Sequence, residues 1–419
     1  MKVQLDPGKL VQLFNRLIIY RSLKQEPEIN ELLKIIADEP FTPPLSGWLG
    51  LILEKYPKSL NAWASFLWSL IENDENHFSL GCERGEYQKI SANIIYAVQH
   101  DLKILSALLH WEPFAEFPIR VEPGLNASLN PGFDWLYQNK IDNSLGWLAD
   151  FYRKRGAGFF GSYSSFVWRS VNQRFKPVTD PDQITFEDLV GYEFQKNVLI
   201  QNTLQFLKDL PANNILLYGD RGTGKSSSIK ALSQRFAGDG LRLIEVSKED
   251  LKDFPLIVAK LRTRGLKFII YVDDLSFDTG EIQYKHLKAV LEGSLEVRPA
   301  NVLIYATSNR RHLIKETFAD REDELHGNDV VQEKLSLSDR FGITLTYSAP
   351  NQEEFLAIVQ ELSAQRGIKL PWREIEARAK HAFRPDRQAI RRPTGRGVGV
   401  KLSKLKNDIY FDAYETHEH

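Results

Sequence analysis

Residues 219–226 read Gly219-Asp220-Arg221-Gly222-Thr223-Gly224-Lys225-Ser226 and match the phosphate-loop pattern G-x-x-x-x-G-K-[ST]. They lie between the apolar run 214–218 and a helical segment that continues from Ser227. Glycines let the backbone curl so that successive N–H groups point at phosphate oxygens, and the helix adds the positive end of its dipole. The pattern predicts a nucleoside-triphosphate site, with Lys225 on the β- and γ-phosphates and the Ser226 hydroxyl on Mg²⁺. A glycine-rich turn beside an exposed lysine is the alternative, which the flanking strand and helix disfavour.

Two carboxylates, Asp273 and Asp274, follow a second apolar run at 268–272. A strand of this kind projects an acid toward the Mg²⁺ shell beside a phosphate loop. Asp273 is predicted to hold Mg²⁺ through water, because Mg²⁺ retains several waters, and Asp274 to orient or deprotonate the attacking water. Taken alone, two acids after an apolar run are more often a helix N-cap or a turn, but the phosphate loop in the same α/β unit reverses that preference.

The distribution of apolar residues predicts the domain organisation. Residues 1–158 hold six of the eight tryptophans at helical spacing, which favours packed helix faces over a ligand pocket. Short apolar runs alternate with helical segments across 159–349, and they predict an α/β domain with a parallel sheet. A helical lid is expected at 350–392 and a basic tail at 393–419. The predicted strands are 214–218, 241–246, 268–272, 302–306 and 343–347.

Charge and cysteine content exclude several classes of protein. The formal net charge is −1, so the charge of the whole chain does not favour binding to nucleic acid or to an anionic membrane. Segment 373–406 differs, because its eleven Lys or Arg and three acidic residues give it a charge of +8. Cys82 is the only cysteine, which excludes an internal disulfide and a cysteine zinc site. The chain shows no signal core and no run of about 18 apolar residues, so we expect a cytoplasmic protein without a membrane partner.

Residues from about 160 to 350 resemble the AAA+ branch of P-loop ATPases, in particular a bacterial AAA+ family of unknown function. The resemblance rests on five blocks of sequence, which are Phe186-Glu187-Asp188-Leu189-Val190-Gly191-Tyr192-Glu193, the loop 218–227, Val272-Asp273-Asp274-Leu275-Ser276-Phe277, Tyr305-Ala306-Thr307-Ser308-Asn309-Arg310-Arg311-His312-Leu313 and Lys334-Leu335-Ser336-Leu337-Ser338-Asp339-Arg340-Phe341-Gly342.

The resemblance implies a fold and a set of further site residues. The fold is a five-stranded parallel sheet of order 5-1-4-3-2, with a helical N-terminal region and a small C-terminal lid. ATP and Mg²⁺ are the implied cofactors, with the phosphates on residues 219–227 and adenine near Val190, Gly191 and Tyr192. Asn309 falls on the sensor 1 position beside the γ-phosphate or the attacking water. Arg340 matches the arginine finger that enters a neighbouring subunit's site, which implies a homo-oligomer.

Each of these assignments has an alternative. Asn309 is also suited to cap a helix, Arg340 to form a surface salt bridge, and Tyr192 to pack under the phosphate loop.

Two departures from the family pattern matter as well. Asp274 replaces the usual glutamate and is one methylene shorter, so slow hydrolysis is expected. Pro385 and Pro393 interrupt the lid, where the sensor 2 arginine cannot be placed. The last thirty-odd residues are either foreign to the family or a solvated basic tail.

Three functions follow from the pattern. The first is an ATPase that hydrolyses ATP to ADP and phosphate at subunit interfaces and remodels or regulates an unknown protein partner through residues 1–158. The second is an ATP-switched binding scaffold with little hydrolysis. The third is a nucleic-acid-linked ATPase resembling helicase loaders, which the Asp-Asp pair and the basic tail suggest and the net charge disfavours.

Overall fold

The structure is a computed structural model, and it describes residues 7–37, 43–57, 59, 61–111, 129–277, 287–288, 291, 299–309 and 340–382. The chain divides into two compact units. The helical unit comprises Met1–Tyr163 with Gly238–Gly240 and Arg264–Leu266, and the α/β unit comprises Ser164–Ala237, Leu241–Thr263 and Lys267–His419. Within the described ranges, no helix combines the length and the apolar character that crossing a membrane requires.

The helical unit is built on aromatic packing. Asn61, Asn76 and Asn130 each accept a backbone N–H with their side chains and so begin a helix. Trp63 is fully buried and lies edge-on to Trp111 with ring centroids 4.9 Å apart. These tryptophans are core residues, as their spacing predicts. The helices are α1 Pro7–Asn15, α2 Pro27–Ala37, α3 Pro43–Lys55, α4 Ala62–Glu72, α5 His77–Glu83, α6 Ala92–Leu109, α7 Pro131–Tyr137, α8 Ile141–Arg155 and α9 Gly158–Ser162.

A buried ion pair holds the segment Arg264–Leu266 within the helical unit. The Arg264 guanidinium donates from Nε to Glu83 Oε1 at 2.8 Å and from Nη2 to Glu83 Oε2. The Glu83 carboxylate, whose side chain is 0% exposed, also accepts the N–H groups of Ala157 and Gly265. The guanidinium lies over the Phe160 ring at 5.1 Å. Glu83 is therefore a buried charge whose compensation depends on Arg264.

Replacing Arg264 with methionine is expected to destabilise the helical unit by about 3–5 kcal/mol, because it leaves the Glu83 carboxylate buried without its cation. Urea unfolding followed by tryptophan fluorescence measures the loss. The matched control is Lys55→Met, which breaks the pair of Lys55 with Glu28 at 2.9 Å where Lys55 is 51% exposed, and it should cost about 0–1 kcal/mol. Equal losses in the two variants would contradict the buried-pair interpretation.

In the α/β unit, strands and helices alternate from Glu193 to Val272 after an initial hairpin. The central strands are mostly apolar, and all seven residues of Val302–Ser308 are buried, as expected where both faces of a sheet are covered. The elements are β1 Ser165–Arg169, β2 Arg174–Pro177, α10 Glu193–Leu207, β3 Ile215–Gly219, α11 Lys225–Phe236, β4 Leu241–Glu245, α12 Phe254–Leu261, β5 Lys267–Val272, β6 Val302–Ser308, β7 Ile343–Tyr347, α13 Gln352–Gln365 and α14 Trp372–Ala382.

The sheet differs from the predicted five-stranded parallel sheet, because it has seven strands in the order β2-β1-β4-β5-β6-β3-β7. The strands β4-β5-β6-β3-β7 are the five predicted ones and pair in parallel. The two additional strands form an antiparallel hairpin, and β1 pairs in parallel with β4. Sequence patterning missed β2 because Arg174–Pro177 is short, polar and largely exposed. The parallel register brings the carboxyl ends of β3, β5 and β6 to one edge.

Two helices follow the sheet where a lid was predicted. Asn351 and Glu354 form a capping box that begins α13. Phe355, Ile358 and Ile375 join α13 and α14 in a small apolar cluster. The rest of the predicted lid, 383–392, and the basic tail, 393–419, lie outside the described residues, as do Pro385 and Pro393.

Candidate nucleotide-binding site

The phosphate loop connects β3 to α11 through glycines with positive φ. Gly219, Gly222 and Gly224 have φ of 138°, 78° and 91°, a region that favours glycine. A Cβ on Gly219 would lie 2.1 Å from the Tyr347 carbonyl oxygen, so no side chain fits there. The Asp220 N–H donates to the same oxygen at 3.0 Å. The loop thus passes tightly over the end of β7 before α11 begins at Lys225.

The Lys225 side chain folds back into the loop. Its Nζ donates to the carbonyl oxygens of Gly219 and Asp220 at 2.9 and 2.7 Å, and it lies 3.4 Å from Asn309 Oδ1. The residue is 6% exposed. Burial is the largest influence and lowers the pKa of Lys225, while Asp220, Asp274 and Asp273 act in the opposite direction. The loop therefore encloses an amino group surrounded by acids.

Ser226 and Asp273 meet directly. The Ser226 hydroxyl donates to Asp273 Oδ1 at 2.8 Å, and the Thr307 hydroxyl donates to the same oxygen. Burial raises the pKa of Asp273, but hydrogen bonds from neighbouring hydroxyls, Thr307 first, outweigh it and hold that pKa below 3.8. An ionised carboxylate beside a hydroxyl is an oxygen donor set of the kind Mg²⁺ accepts together with substrate phosphates. The described residues contain no group of three or more His, Cys, Asp or Glu suited to hold a metal by themselves.

Asp274 adopts a left-handed backbone conformation, with φ of 48°. Such a conformation in a residue other than glycine costs of order 1–3 kcal/mol. Three contacts hold it: the Asp274 N–H donates to Thr307 Oγ1 at 3.0 Å, the Leu275 N–H donates to the Thr307 carbonyl at 2.7 Å, and Asn309 Nδ2 donates to Asp274 Oδ1. The strained turn aims the second carboxylate at Asn309.

The segment predicted near adenine lies beside the end of β7. Gly191 and Tyr192 both have positive φ, 85° and 59°. The Tyr192 ring stacks on Tyr347 at 4.8 Å and its hydroxyl donates to the Ser348 carbonyl at 2.6 Å. Burial raises the pKa of Tyr192 to about 12. Val190 packs against the α13–α14 cluster. Tyr192 therefore packs against the end of β7.

Arg340 is the one predicted catalytic residue that the fold keeps away from the loop of its own chain. It precedes β7, whose first residue Ile343 pairs with Ile215 at the amino end of β3. Gly219 pairs instead with Tyr347, four residues further along both strands. A strand rises about 3.3 Å per residue, so Arg340 and the phosphate loop lie at opposite ends of these strands, about 13 Å or more apart.

Sequence patterning missed Thr307, which is 1% exposed and links Asp273 to Asp274 through its hydroxyl. The available signal was that Thr307 and Ser308 are polar at the end of a strand whose first five residues are apolar. Of the remaining predicted residues, the Thr223 hydroxyl donates to the Asp220 carbonyl at 2.8 Å, and Asp220 Oδ2 accepts the Ala349 N–H at 2.7 Å. Arg221 and Gly222 are exposed in the loop, and Ser227 lies in the first turn of α11.

Comparison with known proteins gives a family and a set of distant structural likenesses. A family model described as "Protein of unknown function (DUF815)" matches residues 161–391, more than half of the chain. No curated protein matches the chain. Solved structures that resemble it include Thermotoga maritima RuvB, described as a Holliday junction branch migration motor, at 16% identity and a TM-score of 0.37. That likeness covers 55% of this chain and 66% of the RuvB chain. A variant of the same RuvB aligns at 15% identity with a TM-score of 0.38, over 55% of this chain and 67% of the variant.

Proposed function

The chain belongs to the DUF815 family, as the resemblance in its sequence blocks predicted, and for this member we propose an AAA+ ATPase that hydrolyses Mg²⁺·ATP to ADP and phosphate. One observation carries the proposal: the phosphate loop, the Ser226–Asp273 pair and the Asp274–Asn309 pair converge at one edge of the sheet. Each pair joins residues far apart in sequence, so the convergence is a property of the fold.

Binding would begin at the loop and the first turn of α11. Residues 219–227 offer backbone N–H groups and a helix N-terminus to the phosphates. Lys225 would exchange its two carbonyl contacts for β- and γ-phosphate oxygens, a charge-assisted replacement that offsets the cost of burying the ammonium. Val190, Gly191 and Tyr192 would contact adenine.

Ser226 and Asp273 would hold the magnesium ion, which, when bound, neutralises charge on the β- and γ-phosphates. Asp274 would orient the attacking water or accept its proton. Asn309 would hold the Asp274 carboxylate in place by donating from Nδ2 to Asp274 Oδ1. Because the Asp274 side chain is one methylene shorter than glutamate, we expect turnover below about 1 s⁻¹, the lower end of the usual enzyme range. Phosphate release from ATP, measured with Mg²⁺ and with EDTA, tests this directly.

Arg340 would act in the site of a neighbouring copy. Its place at the opposite edge of the sheet from its own loop supports this assignment, since an arginine side chain cannot span that distance. The protein would then be a homo-oligomer with sites at subunit interfaces, and the helical unit would carry the contact to a protein partner.

An arginine acting between subunits makes turnover depend on assembly. We expect the ATPase rate per subunit to rise with protein concentration, and Arg340→Ala to lower it at least about 10³-fold at every concentration while ATP affinity is retained. Phosphate release alongside sedimentation measures both. Arg174→Ala, at an exposed position on β2, is the control and should leave turnover unchanged. A rate per subunit independent of concentration would contradict the role of Arg340.

A second candidate function is an ATP-switched scaffold with little hydrolysis, with the nucleotide state controlling docking of the helical unit. The observation that favours it is the short carboxylate of Asp274, held by a strained backbone and engaged by Asn309. Tight ATP binding without phosphate release above background would select the scaffold over the ATPase.

A further inference from the structure

The Tyr271 hydroxyl is buried without a hydrogen-bond partner. Tyr271 is 1% exposed, and within the part of the chain that the structure describes its oxygen meets no donor or acceptor in hydrogen-bonding geometry. A buried polar group left unsatisfied destabilises the folded state, so native proteins seldom retain one.

Other tyrosines in the same core are satisfied. The Tyr305 hydroxyl, opposite Tyr271 on β6, accepts from Asn202 Nδ2 at 2.9 Å and lies 3.1 Å from the Thr203 hydroxyl. The Tyr347 hydroxyl lies 3.2 Å from the Ser228 hydroxyl. The sheet therefore has room and partners for buried phenols, and Tyr271 is an exception at one particular place.

That place is the candidate magnesium site. Side chains alternate along a strand, so Tyr271 and Asp273 emerge from the same face of the β5 chain. On this face Tyr271 packs with Ile269 and with residues of α11, the helix whose first turn carries Ser226. The Tyr271 hydroxyl lies near Asp273 and Ser226 and interacts with both, although it meets neither of them in the geometry of a regular hydrogen bond.

We propose that Tyr271 is a positioning residue of the magnesium site, whose hydroxyl accepts a hydrogen bond from a water molecule in the hydration shell of Mg²⁺·nucleotide. The inference rests on the proposed function and extends it to a residue outside the phosphate loop and the two acids. Ser226 would contact the ion directly and Asp273 through water, and Mg²⁺ held in this way keeps several waters whose hydrogens need acceptors around them.

The oxygen of a phenol has lone pairs that can accept such a hydrogen bond. A phenylalanine at this position would fill the same space without the hydroxyl.

Tyr271→Phe tests the inference, with Tyr305→Phe as the matched control. Calorimetry gives the affinity for AMP-PNP with Mg²⁺ and with EDTA, and thermal unfolding without nucleotide gives stability. We expect Tyr271→Phe to lower the gain in affinity from Mg²⁺ about 3- to 10-fold, leave the EDTA affinity unchanged, and unfold at or above the wild-type temperature. Tyr305→Phe, which loses satisfied hydrogen bonds, should unfold at a lower temperature with the magnesium gain intact.

Failure of the proposed function and failure of the role of Tyr271 give different results. If the wild-type protein binds no AMP-PNP with Mg²⁺, the proposed function falls and this inference falls with it. If the wild type binds and Tyr271→Phe shows the same gain from Mg²⁺, or if both tyrosine variants lose it equally, only the role of Tyr271 is overturned.

Discussion

Lys225→Ala is expected to weaken ATP binding by about 10²- to 10⁴-fold and to abolish measurable turnover. The ammonium lies inside the loop on two carbonyl oxygens, and hydrogen bonds to charged groups contribute about 1.5–3 kcal/mol each, so two phosphate contacts account for a loss of this size. Fluorescence titration with a labelled ATP analogue and phosphate release measure the two effects.

The control for this prediction is Lys230→Ala, further along α11 at a half-buried position, which should bind ATP like the wild type. Without nucleotide, Lys225→Ala should unfold no earlier than the wild type, because burial already disfavours the charged amine. Wild-type affinity in a folded Lys225→Ala variant would remove the basis of the nucleotide site.

Asp274→Asn is expected to reduce kcat about 10²- to 10⁴-fold, the usual contribution of a general base, while ATP affinity stays within about twofold of the wild type. The amide keeps an oxygen that can accept from Asn309 Nδ2, so the strained turn survives and only the capacity to take a proton is lost. Single-turnover phosphate release separates the chemical step from binding.

Asp273→Asn is the informative comparison for Asp274→Asn. It removes the carboxylate that Ser226 and Thr307 contact, and it should weaken ATP binding with Mg²⁺ while leaving binding in EDTA unchanged. If both aspartate variants lost magnesium-dependent affinity alike, the division of labour between the two acids would be wrong.

The strands and the site could be predicted from the sequence to different extents. The sequences of β3, β5 and β6 are mostly apolar, because both faces of each strand are covered. Such strands can be recognised without knowing which strands pair with them. The edge strand β2 was missed because an exposed edge needs no apolar pattern, whereas β1 is largely buried and was missed although it contains Phe166 and Trp168. Lys225, Ser226, Asp273 and Asp274 were predicted as site residues from short sequence patterns, and the fold brings these side chains together.

Thr307 and Tyr271 escaped notice for a different reason. The polarity of Thr307 at the end of an apolar strand was a weak signal, and nothing in the immediate neighbours of Tyr271 marks it as part of a site. Their positions acquire meaning only when β5 and β6 pair in register and α11 covers that face, which places one hydroxyl between Asp273 and Asp274 and leaves the other without a partner.

The residues alone determined that this chain has a glycine-rich loop with the phosphate-loop pattern, a pair of acids at a strand end, mostly apolar central strands and an aromatic helical region, because each is a short-range pattern imposed by backbone geometry or by burial. Tertiary structure alone decided the seven-stranded sheet, the separation of Arg340 from its own loop, the strain at Asp274 and the isolation of the Tyr271 hydroxyl. These depend on strand pairing and on distances between residues far apart in sequence, which no local pattern encodes.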